Sequence, residues 1–166
     1  MYERQFAEPV FSAWMQLGRT YRICNKILER ELLKVNLTPS YLFVLWVCDD
    51  YHGLLTAAEL SRLSFREMHT YSGVLTRMER DGLITRTPKR KGQPLRSIQL
   101  TAKGEALLRP GKRVLLAVVA HGLSSLSEEE VEQFRKLLQK VRQKGIERLG
   151  FTITPQPAAL KRRPTK

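Results

Sequence analysis

Between Arg62 and Arg113 the chain carries 13 basic residues against 4 acidic ones, so this stretch holds +9 of a formal net charge of +13. Guanidinium and ammonium groups concentrated in one segment suit a polyanion, because they neutralise phosphates and release counterions. Three of these cations, Lys89, Arg90 and Lys91, stand together in Pro88-Lys-Arg-Lys-Gly-Gln-Pro94, with Arg96 just beyond. Arg66, His69, Thr70, Ser72 and Arg77 lie upstream. Their hydroxyl, imidazole and guanidinium groups can reach base edges or phosphates. Thr70 and Ser72 are the stronger candidates. His69 and Arg66 fall at a helix start that often faces solvent, and Arg77 and Arg86 suit ion pairs or phosphates as well as bases. Nothing is spaced for catalysis: there is no Gly-rich phosphate loop, nucleophile elbow or carboxylate pair. Glu128-Glu129-Glu130 favours a helix N-terminus.

The elements that must position these groups are legible. Thr56 and Glu59 form a capping box opening a short amphipathic helix, and Ser64 and Glu67 repeat the pattern before a longer one from Arg66 to Asp81. Gly82 stops it as a left-handed cap. Leu83-Ile-Thr-Arg-Thr87 and Arg96-Ser-Ile-Gln-Leu100 read as two strands, bracketed at the turn by Pro88 and Pro94. Two helices followed by a basic hairpin make a winged helix–turn–helix. That fold reads duplex DNA with one helix in the major groove, although winged helices also dock proteins.

On either side lie long helices. The first spans Pro9 to Val35, with Val10, Trp14, Leu17, Tyr21, Cys24 and Leu28 on one face. Thr38 caps the second, Pro39 takes its first turn, and Tyr41 to Val47 is apolar on most sides. Thr101 caps a further helix that Pro110 is expected to kink or interrupt. Ser127 and Glu130 box the last, which shows Val131, Phe134, Leu138 and Val141 on one face. The terminal helices have apolar faces and no sheet to cover them, so mutual packing in a homodimer is expected. The fold class is therefore mainly α: a winged helix–turn–helix DNA-binding domain at 37–101, a dimerisation arm from helices at 1–36 and 102–150, and a basic flexible tail at 151–166. The length suits one such domain with its arm.

Two cysteines, Cys24 and Cys48, make no disulfide framework, and both read as core positions. His52, His69 and His121 lack zinc-ligand spacing, so no metal and no cofactor is expected. No signal peptide and no bilayer-length apolar run is seen, which points to the cytoplasm and away from a membrane. Trp14, Tyr21, Tyr41 and Trp46, with Phe11 and Phe43, fit ordinary packing or a ligand pocket between arm and reading head.

Three stretches fall in one register: Leu75-Thr-Arg-Met-Glu-Arg-Asp-Gly-Leu-Ile-Thr-Arg86, Ile98-Gln-Leu-Thr-Ala-Lys-Gly104 and Leu123-Ser-Ser-Leu-Ser-Glu-Glu-Glu130. Through them the chain, from Val10 to Leu149, resembles the MarR (multiple antibiotic resistance regulator) family of winged helix–turn–helix regulators. It implies a dimer on a pseudo-palindromic operator, often released by a small aromatic or phenolic ligand. Two departures stand out. The family's wing run Asp-Arg-Arg-Ser falls on Gly92-Gln93-Pro94-Leu95, leaving Arg90 as the preferred groove residue. A common Ser-Thr-Val-Ser-Arg run falls on His69-Thr70-Tyr71-Ser72-Gly73, so glycine replaces arginine and lets the helix approach DNA more closely. The reactive cysteine of peroxide-sensing relatives falls near Trp14 or Met15, not at Cys24.

The expected function is a non-enzymatic, sequence-specific transcriptional regulator of a bacterium or archaeon, a repressor by family habit, with double-stranded DNA, a second copy and a small-molecule effector as partners. The competing readings are a ligand or redox sensor with mainly protein–protein output, and an RNA-binding accessory protein. The wing lacks the aromatic stacking surface that single-stranded RNA needs.

Overall fold

The computed structural model describes residues 8–51, 55–65, 68–87 and 97–150. Helix α1 (Pro9–Leu33) starts at Glu8, whose carboxylate accepts from the Val10 and Phe11 N–H groups, with Pro9 in the first turn. It ends two residues before Val35. Asn36 takes a left-handed φ of 57°, and the Leu37 N–H returns to the Leu32 carbonyl. Asparagine tolerates that conformation, so it closes the helix where many chains use glycine. Thr38 caps α2 (Pro39–Asp50) through the Tyr41 N–H at 3.2 Å, as its sequence predicts. Leu42, Val44, Leu45 and Cys48 of α2 are buried, and Tyr41, Phe43, Trp46 and Val47 pack around them. A helix apolar on most sides is a core helix.

A two-residue strand, β1 (Leu55–Thr56), precedes α3 (Ala57–Ser64) and is too short for periodicity to reveal. Thr56 and Glu59 form the expected capping box. Ser64 does not cap the next helix. It is the last residue of α3, its hydroxyl donates to the Ser61 carbonyl at 3.1 Å, and the chain turns at Phe65 with φ 53°. Phe65 occupies a conformation that costs a bulky residue strain. Helix α4 (Met68–Arg80) follows, and Gly82 ends it with φ 70° as predicted.

Strands β2 (Ile84–Arg86) and β3 (Ser97–Leu100) pair antiparallel, Thr85 opposite Gln99, and β1 joins the far edge of β3. The sheet order is β1-β3-β2. Helix α5 (Ala102–Leu123) runs through Pro110 as one helix rather than breaking there. A Cβ at Gly104 would lie 2.2 Å from the Leu83 carbonyl oxygen. Only glycine lets α5 start this close to the strand. Helix α6 (Glu128–Arg148) opens on the Ser127–Glu130 capping box.

One core gathers Leu32, Leu37, Leu45, Leu55, Leu60, Leu75, Met78, Ile84 and Ile98, all essentially inaccessible. It centres on α2, α3, α4 and the sheet, and the arm packs on it through Leu28 and Leu32 of α1 and Leu107, Leu108, Val114 and Leu115 of α5. Among the described residues no helix is long and apolar enough to cross a membrane.

Candidate nucleic-acid interface

Tyr71, Val74, Leu75 and Met78 turn α4 inward, following the helical repeat. The Tyr71 ring lies 6.1 Å from that of Phe43, tying α4 to α2. His69, Thr70, Ser72, Gly73 and Arg77 are consequently exposed, and α4 brings these five predicted residues onto one element. Thr76 and Arg80 are exposed beside them. They fall three and seven residues beyond Gly73, a spacing that could have added both to the candidate set. Among the described residues, nothing but the Arg77 guanidinium, at 3.9 Å, lies near a Cβ built on Gly73, and none of them requires a glycine there.

The far end of α4 is held by polar contacts. The Tyr41 hydroxyl donates to Asp81 Oδ2 at 3.3 Å, Lys103 Nζ to the Asp81 carbonyl at 2.8 Å, and Thr101 Oγ1 to the Gly82 carbonyl at 2.7 Å. Arg86 on β2 donates through Nε (2.8 Å) and Nη2 to Glu79 on α4. Of its sequence alternatives, Arg86 therefore takes the ion pair, and it joins reading helix to wing base. Arg66, Lys89, Arg90, Lys91 and Arg96 lie outside the described residues, as does His52.

The four pocket candidates separate. Trp14 lines an open apolar groove of about 1160 Å³ with Leu17 of α1, Phe65 of the α3–α4 turn and Leu138, Val141 and Ile146 of α6. Tyr21, Tyr41 and Trp46 do not line it. Tyr21 is 62% exposed on α1. Tyr41 and Trp46 pack on the core; the Trp46 indole donates to Asp50 at 3.1 Å, and Lys112 sits 4.9 Å above its ring while bonding Asp49 at 2.7 Å. Phe65 and Ile146 line the groove and were not read from the sequence; for Phe65 the reason is that periodicity carries no signal in a turn.

The cysteines diverge as well. Cys48 is buried, and burial, then the nearby Asp49 charge, push its thiol up to about 12. Cys24 is exposed on α1, which corrects its assignment to the core. His69 and His121 are both exposed, and no metal-holding cluster of three ligands occurs among the described residues.

No model of a known protein family matches the chain. It is 32% identical over 106 residues to an organic hydroperoxide resistance transcriptional regulator of Bacillus subtilis, covering 63% of this chain and 69% of that protein. Among solved structures it resembles AbsC, a MarR family transcriptional regulator from Streptomyces coelicolor, with TM-score 0.76 and 20% identity over 86% of this chain and 97% of the other. The organohalide-sensing regulator RdhR-CbdbA1625 bound to 2,4-dichlorophenol superposes with TM-score 0.78 and 23% identity, over 93% and 98%. MepR of S. aureus in complex with DNA gives TM-score 0.73 and 22% identity, over 82% and 99%.

Proposed function

The chain belongs to the MarR family of transcriptional regulators, and we propose that it acts as a homodimeric, sequence-specific DNA-binding repressor on a pseudo-palindromic operator. The observation that carries this reading is the outer face of α4. His69, Thr70, Ser72, Gly73 and Arg77 are exposed together, on a helix locked from behind by four buried side chains. A rigid helix presenting hydroxyls and a cation is what the major groove accepts. Thr70, Ser72 and His69 meet base edges, Gly73 admits the backbone, and Arg77 meets phosphate. Lys89, Arg90, Lys91 and Arg96 track the neighbouring minor groove and phosphates.

The arm supports the dimer. Val10, Trp14 and Tyr21 of α1, Leu116 of α5 and Leu137 of α6 are each more than half exposed. Large apolar side chains left open in this number mark an interface. The arm is then 1–36 with 102–150, and the reading domain 37–101. The groove supports an effector of aromatic or phenolic type, as the dichlorophenol-bound structure carries. An occupant would touch Trp14 and Leu17 of the arm and Phe65 beside the reading helix at once, so its binding would bias their relative placement.

Substitution tests the reading directly. Arg90→Ala weakens binding to every duplex and flattens the salt dependence by about one unit of slope. Thr70→Ala or Ser72→Ala also changes which sequence is preferred, at about 1–3 kcal/mol of discrimination. Unaltered affinity and salt slope in Arg90→Ala would refute the wing assignment, and unaltered preference in both hydroxyl variants would refute the α4 assignment.

A further inference from the structure

The reading head holds only one of two concentrations of positive charge. From Arg135 to Lys166 stand ten basic residues and one acid, Glu147. Four of the ten, Lys136, Lys140, Lys144 and Arg148, recur at every fourth residue along α6, and all four are exposed. At 100° per residue, successive members are offset by roughly 40° and rise about 6 Å. They form one gently winding stripe along a flank of the helix. Phe134, Leu138 and Val141 lie to one side of that flank, Leu137 falls within its arc, and Lys140 and Lys144 stand at the rim of the apolar groove, so Lys136 and Lys140 are the cations turned furthest from the apolar face.

The stripe is poorly neutralised from within. Lys144 bonds Glu147 at 2.8 Å with its side chain still 84% exposed, and Lys136 shares Glu132 with Arg135 at 3.5 Å. Hydrogen bonds from Arg135, and secondarily Lys136, hold the Glu132 carboxyl below its usual range. Lys140 and Arg148 make no ion pair or side-chain hydrogen bond among the described residues. Surface pairs of this kind contribute little to stability. Two of the four cations are paired only at the surface and two are unpaired among the described residues, so the row is not explained by the fold. The sequence continues the charge at Lys161-Arg162-Arg163 and Lys166.

We propose that the Lys136–Lys140–Lys144–Arg148 stripe of α6 is a second, sequence-blind interaction surface for the phosphate backbone of duplex DNA lying beyond the operator. It rests on the DNA-binding reading above. Charge complementarity selects the partner. A helix carrying cations at regular spacing presents a row that a line of phosphates can neutralise, and the four side chains of the row include no aromatic group for stacking on bases. Its consequence is a longer footprint and stronger capture from non-specific DNA, both steep functions of salt.

The test uses the full-length protein with the stripe neutralised (K136Q, K140Q, K144Q, R148Q) and the conservative variant (K136R, K140R, K144R). Circular dichroism and sedimentation first establish that fold and association match the wild type. Affinity is then measured against salt on a short duplex of roughly two helical turns and on a much longer duplex with the same centre. The expected result is a steeper wild-type slope on the long duplex. The glutamine variant loses about 0.9 from that slope for each stripe cation that had met a phosphate. It keeps the short-duplex affinity and sequence preference, and the arginine variant keeps both slopes. Equal long-duplex slopes in wild type and glutamine variant would overturn the stripe while leaving the reading head intact. Stripe-dependent binding to phosphatidylserine vesicles with unchanged DNA slopes would overturn it in favour of a membrane surface. If the wild type showed no sequence preference on any duplex, the DNA-reading function itself would fail, a distinct result.

Discussion

The reading head and the helical arm handle their apolar residues in opposite ways. In the head, Leu45, Leu60, Leu75, Met78 and Ile98 are sealed within one chain. In the arm, Val10 is 77% and Trp14 65% exposed, although α1 has a clear apolar stripe. The same type of residue is finished structure in one region and an unfinished surface in the other. Burial of a large apolar side chain is worth about 1.5–3 kcal/mol, so the head can order itself while the arm gains from a second copy. The division also suits function: a rigid unit presents α4, and its spacing from a twin is set by a surface that association completes.

The sharpest contrast is truncation in each region. Leu45→Ala removes a fully buried side chain and should lower stability by about 2–5 kcal/mol, read as a shift of the denaturation midpoint. Trp14→Ala should instead leave the secondary structure intact and weaken self-association by about 2 kcal/mol, read by sedimentation over a dilution series. If Trp14→Ala unfolded the monomer while Leu45→Ala did not, the division would be wrong.

Two glycines sharpen it further. Gly104→Ala drives a methyl into the Leu83 carbonyl and should cost about 1–3 kcal/mol. Gly73→Ala meets only ordinary contact with the Arg77 guanidinium, at 3.9 Å, and should stabilise the fold by about 1 kcal/mol, while weakening DNA binding if the backbone closely approaches the groove. Thermal melts and operator affinity, measured together, separate packing from function.

The smallest effect is alkaline. The folded state holds the Cys48 thiol proton up to about pH 12, while the unfolded chain releases it near its ordinary 9.0. A raised folded value means the contribution is complete below pH 9.0 and declines as pH rises from there toward 12. Cys48→Ala should therefore flatten the alkaline limb of stability relative to the wild type. Equal limbs in variant and wild type would contradict the burial assigned to Cys48.

Much of this was legible in the residues, and what was not has physical reasons. Thr38, Thr56, Thr101 and Ser127 declare their helices because a side-chain oxygen satisfies an orphan N–H locally. Gly82 declares a stop through its positive φ. Ser64 misled because the same hydroxyl can bond backward within a helix, as it does to Ser61. Of the two outcomes expected at Pro110, interruption does not occur, since α5 runs on through it, and neighbouring Gly111 sits against Leu37 and Leu42. Strand β1 exists only through pairing with β3, a long-range contact without local periodicity. Cys24 read as core because a stripe shows that a face wants cover and not where the cover comes from. At the site, the exposed candidates on α4 followed from its repeat. The ion pair of Arg86 with Glu79 and the place of Phe65 in the groove needed three dimensions.

The central claim is that two copies of α4, set by the arm, read one operator. The most direct measurement is selection of genomic fragments by the purified protein at near-physiological salt, followed by sequencing. The account predicts enrichment of a palindrome with half-sites about one helical turn apart, and recovery of uniform fragments with no shared motif would contradict it.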